Sequence, residues 1–201
     1  MIKPRIARLG WLALAAVAGL ALLLTGCGTA TPTGAAASSS GAPEVNPAGD
    51  IPDDQVYVPF TPDNGLFTVS VPEGWARTDA NGVVTFTDKL NSVRIETVAA
   101  PMAPDIASAT ATEVPQIASS TTGYTAGDVS MVTRTAGDAV LVTYGAQSEP
   151  DPVTGQTFTD SVERYEFWKD GQEVILTLSG PQGADNVDPW TTITDSFGWA
   201  P

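Results

Sequence analysis

Twenty-three carboxylates, nine basic side chains and no histidine bound the chemistry open to these 201 residues. Without an imidazole there is no Ser-His-Asp or Cys-His nucleophile and no His-ligated zinc. Lys89 and Lys169 are the lysines beyond residue 26, and no motif sets a serine beside either. No glycine-rich phosphate loop appears. Paired acids can hydrolyse glycosides, but among so many carboxylates a pair carries no information. Two loops concentrate the oxygen ligands that calcium takes. Glu149, Asp151 and Asp160 flank residues 147–160, and Asp185, Asn186 and Asp188 precede the last helix. Neither has EF-hand spacing. Asp188 suits a helix cap, and Asp185-Asn186 is ordinary turn chemistry. The sequence therefore predicts a protein that is not an enzyme, with no catalytic residue, no cofactor and no assigned metal site.

The one thiol has a different use. Lys3, Arg5 and Arg8 precede an apolar run from Trp11 to Leu24, which ends in Leu24-Thr25-Gly26-Cys27. A basic start, an apolar stretch and a small residue make a secretory signal. The run is shorter than the roughly 20 residues that span a bilayer. Cys27 is the only cysteine, and it stands where a bacterial lipobox carries its lipidated cysteine. A diacylated Cys27 would become the new N-terminus, and two acyl chains anchor stably. That assignment makes residues 1–26 a signal peptide and removes the thiol from other chemistry. Loss of the signal leaves six basic residues against 23 acids. Such a surface repels phosphate backbones, so no nucleic-acid partner is expected. With no second cysteine, stability must come from packing.

Residues 27–55 are rich in Gly, Ala, Ser, Thr and Pro without apolar periodicity, and read as a disordered tether that composition would also let be glycosylated. Residues 56–201 then read as one folded domain. Leu66–Val71 is a strand closed by Pro72-Glu73-Gly74-Trp75. Val83–Thr87 and Val93–Thr97 alternate about the polar turn 88–91 and form a hairpin. A helix is expected over 104–120, started by Pro104 and Asp105, with Ile106, Ala109, Glu113 and Ile117 on one face and a kink or early end at Pro115. Strands follow near 127–135 and 139–146. Val162–Lys169 and Glu173–Ser179 flank Asp170-Gly171, which suits a type I′ turn. Asp188-Pro189-Trp190 opens a short helix, capped by Asp188, with Trp190, Ile193, Thr194 and Phe197 on one face.

The strand 162–169 sends Tyr165 and Phe167 to one side and Arg164 and Trp168 to the other. Core packing of these aromatics is the plain reading, and an aromatic lining a ligand groove the sharper one. Arg164 is expected to pair with Glu166 or a cross-strand acid at the surface, a contact worth little. The whole is α+β, a twisted antiparallel sheet of about seven strands flanked by helices.

Phe67-Thr68-Val69-Ser70-Val71-Pro72-Glu73-Gly74-Trp75 is similar to the opening strand of PsbP-like domains, and Ile193-Thr194-Asp195-Ser196-Phe197-Gly198-Trp199 resembles their C-terminal helix. Over roughly 60–199 the order of elements fits as well. The chain also resembles LpqN-type lipoproteins of high-GC Gram-positive bacteria, which join a lipobox, a low-complexity tether and this sandwich. The resemblance implies an α/β/α sandwich, packing roles for Trp75, Phe197 and Trp199, and a binding or assembly accessory rather than an enzyme. It transfers no ligand residue.

The resulting expectation is a lipoprotein held to the extracytoplasmic face of the cell membrane through Cys27, acting as a non-enzymatic binding or assembly accessory in the cell envelope. Its partner would be an envelope protein or a small ligand. The alternative is a small-molecule or lipid carrier, which needs an apolar pocket between sheet and helices. A calcium-dependent structural module built on the acidic loops is a third reading.

Overall fold

Two dipeptides with left-handed backbone set the outer hairpins. Asn81-Gly82 has φ of 53° and 82°, and Asp170-Gly171 has φ of 50° and 82°. Both supply the paired positive φ angles that a tight turn between twisted strands requires. The computed structural model describes residues 48–151 and 153–201. Asp170-Gly171 joins β8 (Thr159–Lys169) to β9 (Gln172–Pro181), as the sequence predicts. Asn81-Gly82 joins β3 (Ala76–Ala80) to β4 (Val83–Asp88). β3 is a strand the sequence pattern did not signal: all five residues are exposed, so no apolar alternation marks it. It lies at one edge of the sheet, where a short polar strand resists pairing with another chain.

Seven strands form an antiparallel sheet in the order β3-β4-β5-β9-β8-β7-β6, with β5 at Asn91–Ala99, β6 at Thr125–Arg134 and β7 at Gly137–Gln147. A second sheet of three strands has β2 (Phe67–Pro72) between β1 (Tyr57–Phe60) and the C-terminal β10 (Gly198–Trp199). The first face of the large sheet carries Val93, Ile95, Val174, Leu176, Leu178, Tyr165 and Phe167. These pack with Phe60, Phe67, Val69 and Val71 of the small sheet and with Trp190, Ile193 and Phe197. Phe197 stacks on Phe167 at 4.3 Å between ring centroids and meets Phe67 at 5.4 Å, so one ring joins all three elements. Trp75 and Trp199 are partly buried against the same core.

The second face is covered by one helical segment. Ala109 is fully buried against Val140 and Val142, with Val114, Ile117, Val129 and Tyr144 around them. The segment runs as α1 (Ile106–Ser108), a π-helical turn (Ala109–Glu113) and α2 (Val114–Ser120). Asp105 caps it: its carboxylate accepts from the Ser108 N–H at 2.7 Å, and the Ser108 hydroxyl accepts from the Asp105 N–H at 3.0 Å. Pro115 does not stop the run, which continues to Ser120. The wider π turn lies just before it, where the proline cannot donate and its ring crowds the preceding turn.

The last helix, α3 (Val187–Asp195), starts earlier than the sequence predicts. Asp188 lies inside its first turn, and the N-cap position is Asn186, whose side chain makes no capping bond. The Asn186 amide is used elsewhere. Its Nδ2 donates to the Gly49 carbonyl and to Asn91 Oδ1, both at 3.0 Å, and its Oδ1 accepts from the Ile51 N–H at 2.9 Å. Asn91 Nδ2 donates to the same Gly49 carbonyl at 2.8 Å. Gly180 borders this network so closely that a Cβ there would collide with Asn91 Oδ1. Ile51 is 4% exposed within the core. Residues 49–51 are thus tied to the domain by hydrogen bonds between the Asn186 and Asn91 side chains and their backbone, which no apolar periodicity announces.

Removing a buried partner leaves its neighbours unsatisfied at about 1–3 kcal/mol each. We expect Asn186→Ala to lower unfolding free energy by about 2–3 kcal/mol in urea titrations and to open the chain near Ile51 to limited proteolysis. A loss below about 0.5 kcal/mol, with Ile51 still protected, would show that the network holds nothing.

Candidate functional site

Cys27, the apolar run before it and residues 1–47 lie outside the described residues. Among the described residues no helix is long and apolar enough to cross a membrane. Of the first acidic loop, Glu149, Asp151 and Asp160 line one open cleft of about 360 Å³ together with Lys89. Asp151 is spent on its own turn. Its Oδ1 accepts from the Val153 N–H, the Thr154 N–H and the Thr154 hydroxyl, which hold its pKa down. Asp160 is buried with one oxygen unpartnered, and burial pushes its pKa up to about 6. In the second loop, Asp50 accepts from the Asp185 N–H at 2.9 Å and Asn186 turns into the domain. Among the described residues, neither loop brings three carboxylates within 4.8 Å of one another. Glu113, Glu166 and Glu173 do.

This trio sits on the second face of the large sheet, and the strand register shows how. Glu96, Ile175, Glu166 and Val140 form one row across β5, β9, β8 and β7. Arg94, Thr177, Arg164 and Val142 form the next. Val98, Glu173 and Trp168 form the row on the other side. The face is thus apolar at β7 and charged across β5, β9 and β8. Glu113 reaches it from the end of the π-helical turn, one helical repeat beyond buried Ala109.

Arg164 organises the charges. Its Nε donates to Glu166 Oε1 at 2.8 Å, and a terminal nitrogen reaches Glu113 Oε2 at 3.4 Å. Glu166 is fully buried and the Arg164 side chain only 16% exposed, so the expected surface pair is in fact a buried one. Burial pushes the Glu166 carboxyl well above the usual range, and the hydrogen bond shared with Glu113 adds to this, while Arg164 pulls the other way. Glu173 is also raised, first by burial and then by Glu113. Arg94 is lowered by burial and by Arg164, and it pairs with Glu96 on the same face. Beside them, half-buried Trp168 donates its Nε1–H to the Ala100 carbonyl at 2.8 Å.

The sequence reading named Arg164, Glu166 and Glu113 but not their meeting, and it passed over Glu173. One signal was present: Glu113 shares the helical face of Ala109 and Ile117, where an acid needs a partner inside. The charged alternation at Arg164 and Glu166 looked like a solvated face because nothing local shows that a helix lies over it.

No family model and no curated protein matches the chain. Solved structures do. The solution structure of cyanobacterial PsbP (CyanoP) from Synechocystis sp. PCC 6803 is 14% identical, covers 81% of this chain and 99% of its own, and has a TM-score of 0.49. LpqN of Mycobacterium tuberculosis, described as involved in cell envelope biogenesis, is 15% identical over 74% of this chain and 93% of its own, with a TM-score of 0.40. A protein of Bacteroides thetaiotaomicron VPI-5482 is 13% identical over 71% of this chain, with a TM-score of 0.47, and the match spans about half of its length, 48%. At these scores the likenesses carry no argument of their own. The α+β sandwich stands on the strand pairing and the two faces described above.

Two expectations follow. Arg164→Met leaves Glu166 without its cation. The cost should be about 1 kcal/mol at pH 5, where Glu166 is protonated, and about 3 kcal/mol at pH 9, where a charge is forced. Arg164→Met with Glu166→Leu should recover most of it. A cost that is flat with pH, or no recovery, contradicts a buried pair. For Asp160, the folded pKa lies above the unfolded one, so stability is lost as pH rises from about 4 to about 6. Asp160→Asn should melt higher than wild type at pH 7.5 and equally at pH 4. Equal melting at both pH values would mean that Asp160 is solvated.

Proposed function

We propose that this chain is a lipid-anchored extracytoplasmic protein that acts as a binding or assembly accessory in the cell envelope and catalyses no reaction. The observation that carries the reading is the order of basic start, apolar run and Leu24-Thr25-Gly26-Cys27. Absence of histidine and use of the sole cysteine for the anchor support binding over catalysis. A fold whose first face is filled by a continuous aromatic core also supports it. A carrier would need a pocket between sheet and helices. Four surface clefts among the described residues, of 340 to 430 Å³, are lined by loops and strand ends, and neither helical segment contributes to these four.

The test is metabolic labelling with palmitate and fractionation of the native host. Wild type should take label and stay with the membrane, whereas Cys27→Ser should take none and appear in the soluble extracytoplasmic fraction. Crosslinking of the anchored form should recover one protein in stoichiometric yield. Label retained by Cys27→Ser, or an unlabelled wild type, would overturn the anchor. Recovery of only abundant proteins would overturn the accessory role.

A further inference from the structure

We propose that Glu113, Glu166 and Glu173 form a site for one hard divalent cation, of the calcium or manganese kind, between the helical segment and the second face of the sheet. Geometry comes first. One oxygen from each carboxylate lies within 4.8 Å of the others. Two ligands about 2.4 Å from a common ion are at most about 4.8 Å apart, and the three oxygens meet that bound.

Satisfaction of polar groups points the same way and is independent of clustering. Glu166 is fully buried, and its Oε2 has no hydrogen-bond partner. Glu173 is 8% exposed and makes no hydrogen bond or ion pair among the described residues. Buried carboxylate oxygens normally have partners, and an orphan calls for an explanation such as an ion. The orphan oxygen belongs to the most deeply buried member of the trio.

Charge sets the valence. An ion would draw all three carboxyls into the charged form, and Arg164, which touches Glu113 and Glu166, would offset one of the three negative charges. The remaining two match a divalent ion. Ligand chemistry sets the class: every donor is a carboxylate oxygen, with no thiolate or imidazole in reach, which suits calcium and manganese over softer metals. The ion would join the π-helical turn to β8 and β9, and so would fix the helical segment on the sheet. These residues belong to neither of the acidic loops that the sequence offered as calcium ligands.

Calorimetry on the full chain in detergent micelles, stripped with EDTA and then dialysed, tests the site with CaCl2 and MnCl2 as titrants. Wild type should bind one ion per chain. Glu166→Gln and Glu173→Gln should each bind at least about tenfold more weakly, within the range lost when a metal site's supporting groups change. Both are isosteric, and far-UV circular dichroism should show them folded. Glu113→Gln, at a half-buried position, gives the same reading should either fold poorly. Asp63→Asn, an exposed acid, should bind as wild type does. No saturable binding up to about 10 mM, weaker than extracellular calcium modules, would overturn the site. So would equal binding by wild type and the glutamine variants, which places the ions on the general acidic surface.

Discussion

The burial of Glu166 beside Arg164 is the constraint on which the second face depends. A carboxyl at zero exposure in the third strand from one sheet edge is a costly group to leave alone. Arg164 pairs with it from the same strand, two residues away, and Glu113 approaches from the helical segment. That segment therefore has a polar reason to sit where it does as well as an apolar one. Ala109 against Val140 and Val142 is a small contact, and on its own would hold a helix of modest propensity weakly. The contact of Arg164 with Glu113 adds a polar tie between helix and sheet.

The two faces of one sheet thus work by different physics. The first is closed by area: aromatic rings from three elements interdigitate. The second is closed half by area and half by charge, so its stability varies with pH and with whatever occupies the trio. Arg134 gives the first face a milder version at its rim. It donates to Thr194 Oγ1 and to the Tyr165 hydroxyl, both at 3.0 Å, and thereby ties β6 to α3. A protein that must present one fixed surface to a partner can use a rigid first face as its frame. The second face is where a ligand would alter it.

Much of the frame was legible because local chemistry decides it. Asp170-Gly171 announced its hairpin, Asp105 its helix start, and the spacing of Trp190, Ile193, Thr194 and Phe197 its buried stripe. β3 was not legible from alternation, since an exposed edge strand has none, although Asn81-Gly82 marked its turn. The docking of residues 49–51 was hidden because it rests on the Asn186 and Asn91 amides, 135 and 42 residues from their partners. The cluster was hidden for the same reason. Glu113 is 51 residues from Arg164 in sequence, and nothing near Arg164 shows which face of its strand is covered. Local pattern told that side chains alternate there; only tertiary packing told that both sides are inside.

The most direct test of this account is the carboxyl-carbon NMR titration of Glu166 in chelator-treated protein. The account predicts a midpoint well above the ordinary glutamate value of 4.5, because burial disfavours the charged carboxyl. A Glu166 midpoint at or below 4.5 would contradict it: the carboxyl would then be solvated or simply paired with Arg164, and the second face would not be closed by a buried cluster.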